Sequence, residues 1–157
     1  YILFGLAITP NAIEAKTMAD IFGDGVLNTS WGMSVEEVKS IHPSGEAQEV
    51  FGTTRYFIED GRSLFGIERD QDSFIGFIFG SDDKLIGLSI GMPSGTGDFG
   101  KALNSITTAI GIEPKPVTNS AGIPITRWND GTGIEIGLMQ TSGLRLETQY
   151  TMNGIPS

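Results

Sequence analysis

Few residues in this chain have the types and spacing that catalysis or metal binding requires. His42 is the single histidine, it precedes Pro43 at the end of a predicted helix, and there is no cysteine. A helix carboxyl end attracts a cation, so we interpret His42 as a helix-end residue and not as a catalytic base. The chain contains no G-x-S-x-G pattern, and one histidine with carboxylates is an unusual zinc ligand set. We therefore predict no catalytic residue and no metal site.

Acidic residues are numerous, but they do not complete a known motif. Asp70 and Asp72 have the i, i+2 spacing of calcium loops, yet the glycine and glutamate that finish such a loop do not follow. Asp82 and Asp83 occupy a predicted hairpin tip, where turn geometry alone favours aspartate. We interpret all four as solvated turn residues.

The glycines near the middle of the chain do not form a phosphate-binding loop. The stretch 91–101, GMPSGTGDFGK, places three glycines just before a predicted helix, whose amino end attracts anions. The spacing matches neither G-x-x-x-x-G-K-[ST] nor G-x-G-x-x-G, and Asp98 would repel a phosphate. We predict a flexible connection here and no cofactor.

Composition and charge narrow the class of protein further. The chain has 157 residues, a length typical of one domain, and 22 glycines, which indicate many tight turns. Its formal net charge is −9, and its ten lysines and arginines are scattered. A protein that binds nucleic acid needs a basic patch that follows the phosphates. We therefore expect no nucleic acid partner.

The first residues bear on the cellular compartment. Residues 1–8, YILFGLAI, are apolar and uncharged, and a small residue, Ala15, follows where signal peptidase cleaves. We predict that residues 1–15 are the remnant of a secretory signal peptide, with a buried first strand as the alternative. The protein would then be periplasmic or secreted, with no membrane-spanning segment in the mature chain.

Two helices are predicted after a loop at residues 16–30. Ser34 and Glu37 have the spacing of a capping box, which starts a helix that ends before Pro43. Asp98 is a good N-cap for a second helix that continues to Ile110, because apolar residues recur along one side of it. Both helices belong to a single domain at residues 31–157.

The other segments alternate with the two-residue period of strands. Short connections between them favour antiparallel pairing. We therefore predict an α+β fold in which two helices pack on a mainly antiparallel sheet of about six to seven strands, in two layers. The predicted strand segments are 47–58, 64–68, 73–79, 85–92, 125–128, 134–138 and 144–151.

Aromatic residues are the best candidates for a binding surface. Phe74, Phe77 and Phe79 place aromatic rings on both faces of one strand, while Trp31 and Trp128 stand at the edges of other elements. Large aromatic side chains are enriched where proteins contact each other. The alternative is that these five residues are simply core, since a sheet that packs on helices needs large side chains.

The stretch 31–39, WGMSVEEVK, resembles the G-M-[ST]-x-x-x-V helix start of small bacterial envelope proteins. These include the SmpA/BamE outer-membrane assembly lipoproteins and the repeats of β-lactamase inhibitor protein. The stretches FIFGSDDKLIGLSIGM, DFGKALNSITTAIGIEP and RWNDGTGIEIGL are similar to those of other secreted bacterial domains. The chain lacks a lipobox cysteine and is longer than the lipoproteins. The resemblance implies a non-enzymatic envelope or secreted domain.

These observations lead to one expected function and two alternatives. We expect a non-enzymatic exported protein, a binding or assembly module of the bacterial cell envelope whose partner is another envelope protein. The first alternative is a periplasmic enzyme or small-ligand carrier with a carboxylate-lined site around Glu59, Glu68 and Asp70. The second is a secreted inhibitor of a hydrolase.

Overall fold

The computed structural model describes residues 16–92, 98–139 and 143–148, so residues 1–15, the predicted signal remnant, lie outside it. Three helices and eight strands make up the described chain, and most of the structured residues are in strands. In chain order they are α1 (Met18–Phe22), α2 (Val35–Ile41), β1 (Glu46–Val50), β2 (Thr53–Glu59), β3 (Phe74–Phe79), β4 (Leu85–Ile90), α3 (Asp98–Ile110), β5 (Lys115–Thr118), β6 (Pro124–Asn129), β7 (Ile134–Met139) and β8 (Gly143–Thr148).

The strands form two antiparallel groups of four that join edge to edge. Strands β1 to β4 pair in sequence, as do β5 to β8, and the two groups meet where β4 pairs antiparallel with β8. The strand order is therefore β1-β2-β3-β4-β8-β7-β6-β5. A helix precedes each group, α2 the first and α3 the second. The two halves of the molecule thus share one order of elements.

The core lies on one face of the strands. Strand register aligns one row of positions across both groups, and five large side chains in this row are fully buried. They are Tyr56, Phe77, Leu88, Ile136 and Trp128, with position 146 of β8 between Leu88 and Ile136. Met18, Val38 and Ile106 add one buried side chain from each helix to the same cluster. Burial of this apolar surface is the main force that holds the short helices in place.

The predicted fold class is wrong. We predicted an α+β fold with two helices on a sheet of six to seven strands in two layers, and the number and arrangement of the elements differ from this. The molecule is mostly β, with three helices, of which only α2 and α3 have seven or more residues, and with two groups of antiparallel strands. Three local errors in the sequence analysis account for the difference.

The first error is the loop predicted at residues 16–30, which contains α1. The Thr17 hydroxyl accepts a hydrogen bond from the N–H of Asp20, and the Asp20 carboxylate accepts one from the N–H of Thr17. This is a complete capping box. With five residues, however, α1 is too short to form without tertiary contacts, so periodicity could not reveal it.

The second error concerns two Phe-Gly turns. The segment predicted as one strand at 47–58 is the β1–β2 hairpin, whose turn is formed by Phe51 and Gly52. The strand predicted at 64–68 is instead a turn closed by a single bridge between Leu64 and Ile67. Phenylalanine is not a typical turn residue, so neither turn was expected.

The third error is β5, which lies in a proline-containing segment that we predicted to be a loop. Its residues pair with β6 alone, at the edge of the second group of strands. Proline is tolerated in an edge strand because its missing N–H does not have to serve a second neighbour. The edge position thus explains how Pro116 fits in a strand.

The two predicted helices are confirmed. At α2 the Ser34 hydroxyl accepts a hydrogen bond from the N–H of Glu37, whose carboxylate accepts one from the N–H of Ser34. Helix α3 ends at Ile110 as expected, with Gly111 in a left-handed conformation beyond it. In the described ranges, none of the helices combines the length and apolar composition that crossing a membrane requires.

Candidate binding surface

Three of the five predicted binding residues lie in the core. Phe77, Phe79 and Trp128 are fully buried, on the face of the strands that the helices cover. The indole N–H of Trp128 donates to the Thr107 hydroxyl of α3 at 3.2 Å. These side chains have no surface with which to contact a partner, which agrees with the alternative that they pack the core.

Trp31 connects the first two helices. Its indole N–H donates a hydrogen bond of 2.6 Å to the carbonyl of Phe22, the last residue of α1, and its ring is half-buried against the core. Gly32 follows with φ 89°, a left-handed conformation that lets the chain turn into α2. The indole hydrogen bond and the left-handed turn thus account for Trp31 and Gly32, for which helix capping gives no explanation.

Phe74 is the predicted residue that faces solvent. We call the face of the strands opposite the core the outer face; Phe74 lies on it and remains 41% exposed. The ring of Phe57, one strand away on β2, meets the Phe74 ring edge to face, with ring centroids 5.9 Å apart and planes at 67°. Phe57 and Phe74 therefore form an aromatic pair on the outer face.

Two glycines make room for this pair. A Cβ atom at Gly76 would lie 2.7 Å from the Phe57 ring, and one at Gly91 would lie 3.1 Å from the Phe74 ring. Both rings thus lie directly over the backbone of neighbouring strands. A larger residue at either position would push its ring away from the sheet, so the glycines determine where the rings lie.

Phe57 was not among the predicted binding residues, although the sequence contains a signal for it. Tyr56 and Ile58 are buried on the core face. Since side chains alternate along a strand, Phe57 between them has to face the other side. An aromatic residue at a strand position that faces solvent indicates a binding surface. Most of the phenylalanines in the stretch 74–79 pack in the core instead.

The backbone of Phe74 is fixed by a buried arginine. Arg69 is only 7% exposed, and its guanidinium donates hydrogen bonds to four carbonyl oxygens. The acceptors and distances are Gly91 at 2.7 Å, Asp60 at 2.6 Å, Phe74 at 2.8 Å and Arg62 at 3.1 Å. Burial lowers the pKa of Arg69, and the nearby Asp60 carboxylate opposes that shift. Arg69 thereby ties the loop at residues 60–73 to the ends of β3 and β4.

Asp60 and Arg62 hold the same loop at its surface. The Asp60 carboxylate accepts two hydrogen bonds from the Nε–H of Arg62, at 2.9 and 2.8 Å, and its Oδ2 lies 2.6 Å from an Nη of Arg62. The hydrogen bonds from the Arg62 side chain lower the pKa of Asp60. The loop next to Phe74 is thus held by a buried cation and an exposed ion pair.

Charges of both signs lie on the outer face. On the second group of strands, Arg127 pairs with Glu135 at 3.1 Å, and Glu135 accepts a further hydrogen bond from the Asn129 side chain. Arg55 lies half-buried on the same face of β2. The outer face is therefore aromatic and apolar in part, with interleaved cations and anions.

The carboxylates proposed for an enzyme site do not form one group. Glu59, Glu68 and Asp70 are all exposed. A cleft of about 790 Å³ lies between the loop and α3, and its lining includes Glu68, Asp70 and Lys101 but not Glu59. Within the described ranges, no group of three or more histidine or acidic side chains is placed to hold a metal ion.

His42 has a role in packing. Its Nε2–H donates a hydrogen bond of 2.9 Å to the Leu27 carbonyl, and its ring stacks on Phe77 with centroids 5.1 Å apart. The backbone N–H of His42 caps α2 by donating to the Val38 carbonyl. The imidazole thus links the core to the segment before α2.

Comparisons of this chain with known proteins identify no related protein. The sequence matches no protein-family model, and neither the search of curated proteins nor that of solved structures returns a significant match. The resemblance of residues 31–39 to envelope proteins therefore stays a prediction.

Proposed function

We propose that this chain is a non-enzymatic, exported binding module of the bacterial cell envelope, which holds another envelope protein against the outer face of its strands. The observation that carries the proposal is the Phe57–Phe74 pair, seated over Gly76 and Gly91.

The aromatic pair supports binding because of its position and its rigidity. When a partner covers an apolar ring that faces water, burial of its surface contributes roughly 25 cal/mol to the free energy of binding for each Å². The two glycines and the Arg69 hydrogen bonds hold Phe74 in place before any partner arrives. A preorganised aromatic side chain loses little conformational entropy on binding, which is a property of residues that dominate interface energies.

The charges favour a folded protein as the partner. A net charge of −9 repels nucleic acid and anionic lipid. On the outer face, Glu46 and Glu59 are the cross-strand neighbours of Phe57 and Phe74, and Arg55 lies half-buried on the same face of β2. Protein interfaces commonly have an aromatic centre and a polar rim of this kind. Assignment to the envelope is supported by the signal-like composition of residues 1–15 and by the helix start at residues 31–39.

The proposal is tested by replacing Phe74 with alanine. Photo-crosslinking groups on the outer face would first identify a saturable partner in envelope extract, and the purified partner would then be titrated. We expect Phe74→Ala to weaken binding about tenfold or more, as for an interface residue worth over ~1.4 kcal/mol.

Ile123→Ala is the matched control, because Ile123 is 40% exposed but lies in the β5–β6 turn, far across the strands from Phe74. It should leave affinity within about twofold, in the range of ordinary exposed positions. Circular dichroism would show that both variants are folded. Equal affinity of the Phe74→Ala variant and the unchanged protein would contradict the proposal.

A further inference from the structure

The turn between β1 and β2 has an unusual sequence for its shape. Val50 pairs with Thr53, so the turn consists of Phe51 and Gly52, with φ values of 51° and 79°. A two-residue turn with both φ positive is type I′, which strongly prefers Asn-Gly, Asp-Gly or Gly-Gly. Phenylalanine in the left-handed region is strained, since its Cβ crowds the backbone.

The ring of Phe51 is also fully exposed, at 101% of its reference surface. Phe65 provides a comparison inside the same chain, because it has φ 53° and is followed by a left-handed glycine, Gly66. The Phe65 ring, however, is half-buried and contacts the Phe22 ring, with centroids 6.1 Å apart. Packing thus compensates the strain at Phe65, whereas Phe51 has no such compensation.

We propose that Phe51 is an anchor that inserts into an apolar pocket on a partner protein. Strain and apolar exposure at one residue both oppose folding, and they persist where the residue acts outside its own fold. A type I′ hairpin presents the ring rigidly at its tip. The inference goes beyond the outer face, because the tip and Phe74 lie at opposite ends of their strands.

The charge beside the turn indicates which charge the rim of that pocket carries. Glu49 is exposed on β1 beside the turn, and its carboxylate accepts a hydrogen bond of 3.2 Å from the Thr54 hydroxyl. A pocket with an apolar floor and a basic rim complements such a tip. This carboxylate and the net charge of −9 repel an anionic lipid surface and a second copy of this acidic chain.

The first part of the test separates anchoring from folding. Asparagine adopts type I′ geometry far more readily than phenylalanine does, so Phe51→Asn should raise the melting temperature by roughly 2–5 °C. A lower melting temperature would show that the ring serves the fold, and would overturn the proposal.

The second part identifies and measures the partner. A photoreactive phenylalanine analogue at position 51 should crosslink to one protein in cells that naturally make the chain. The same analogue at position 83 should not, although Asp83 is exposed and left-handed in the neighbouring β3–β4 turn, at the same end of the strands. Failure to obtain a product specific to position 51 would overturn the proposal.

The purified crosslinked protein would then be titrated. We expect Phe51→Asn to weaken binding at least tenfold, Phe51→Leu to have an intermediate effect and Asp83→Asn to have none. Equal affinities for the unchanged and Phe51→Asn proteins would refute the anchor. So would a Phe51-dependent dimer in sedimentation, or Phe51-dependent binding to vesicles of three parts phosphatidylethanolamine to one part phosphatidylglycerol.

Discussion

At the scale of single residues, Arg69 fixes the loop beside Phe74. Its guanidinium is the donor for four carbonyl oxygens that belong to the loop at 60–73 and to the ends of two strands. A buried carbonyl without a donor costs roughly 1–3 kcal/mol. One side chain therefore satisfies several groups that the loop cannot satisfy by itself.

We predict that Arg69→Met lowers the free energy of unfolding by about 3 kcal/mol or more, because the carbonyls of Asp60 and Gly91 lose their donor, while that of Phe74 keeps only the N–H of Gly91. Urea denaturation followed by fluorescence measures the change. Arg62→Met is the matched control, since Arg62 is 48% exposed and its ion pair with Asp60 is worth at most about 1 kcal/mol. Similar losses for the two variants would show that the Arg69 hydrogen bonds contribute little.

The residues of the candidate surface could be predicted only in part. Phe74 was among the candidate binding residues only because aromatic rings fall on both faces of its strand, and alternation on β2 contained the information for Phe57. Arg69 could not be predicted, because its four acceptors are backbone carbonyls in a loop and at two strand ends, and no residue type identifies them. Phe51 was not recognised as a turn residue because the apolar pattern of the flanking strands continues through the turn.

At the scale of elements, α1 depends on a turn more than 100 residues away. The Asp130 carboxylate accepts a hydrogen bond of 2.8 Å from the N–H of Met18, and the Thr132 hydroxyl accepts one of 3.1 Å from the N–H of Ala19. Helix starts leave such N–H groups without intrahelical partners. The β6–β7 turn thus caps α1, which attaches the beginning of the described chain to the second group of strands.

We predict that Asp130→Ala detaches α1 and costs about 1.5–3 kcal/mol, the usual contribution of a hydrogen bond to a charged group. Hydrogen exchange should accelerate at Met18 and Ala19 while the strands remain protected. Asp72→Ala changes the net charge equally at an exposed loop position, and should leave both exchange rates unaltered. Unchanged protection of Met18 in the Asp130→Ala variant would contradict this account of the capping.

Elements with strong local signals were predicted well, and short elements without a periodic apolar pattern were not. The capping box at Ser34 and the apolar stripe of α3 are local, so the sequence contains them completely. Helix α1 is capped by the β6–β7 turn, and the four-residue strand β5 is stabilised by its pairing with β6. Neither contact leaves a periodic pattern that a reading of the sequence can detect.

At the scale of the whole molecule, the pairing of β4 with β8 joins two groups with the same order of elements. Each group begins with a helix and ends with the strand that forms the junction. Joining the two last strands leaves β1 and β5 as the only edges among the described strands. Glutamates on β1 and a proline in β5 make both edges poor templates for pairing with other chains.

Acid should destabilise the folded molecule through several carboxylates together. A side-chain hydrogen bond from Arg62 lowers the pKa of Asp60, and backbone hydrogen bonds from Ser34 and Thr17 lower those of Glu37 and Asp20. At Asp130 burial raises the pKa, but hydrogen bonds from Thr132 and Met18 outweigh it, so the pKa is again lowered.

A carboxylate whose pKa is lower in the folded than in the unfolded chain adds stability above its unfolded pKa of about 4, and that stability disappears as the pH falls through the folded pKa. We therefore predict a constant urea midpoint from pH 7 to about 5 and a steep fall toward pH 3, measured in 0.2 M salt to screen the net charge. Asp130→Asn should make this fall shallower, because it removes one of the titrating groups while retaining an acceptor oxygen. A midpoint that stays constant down to pH 3 would mean that these hydrogen-bonded carboxylates do not stabilise the fold.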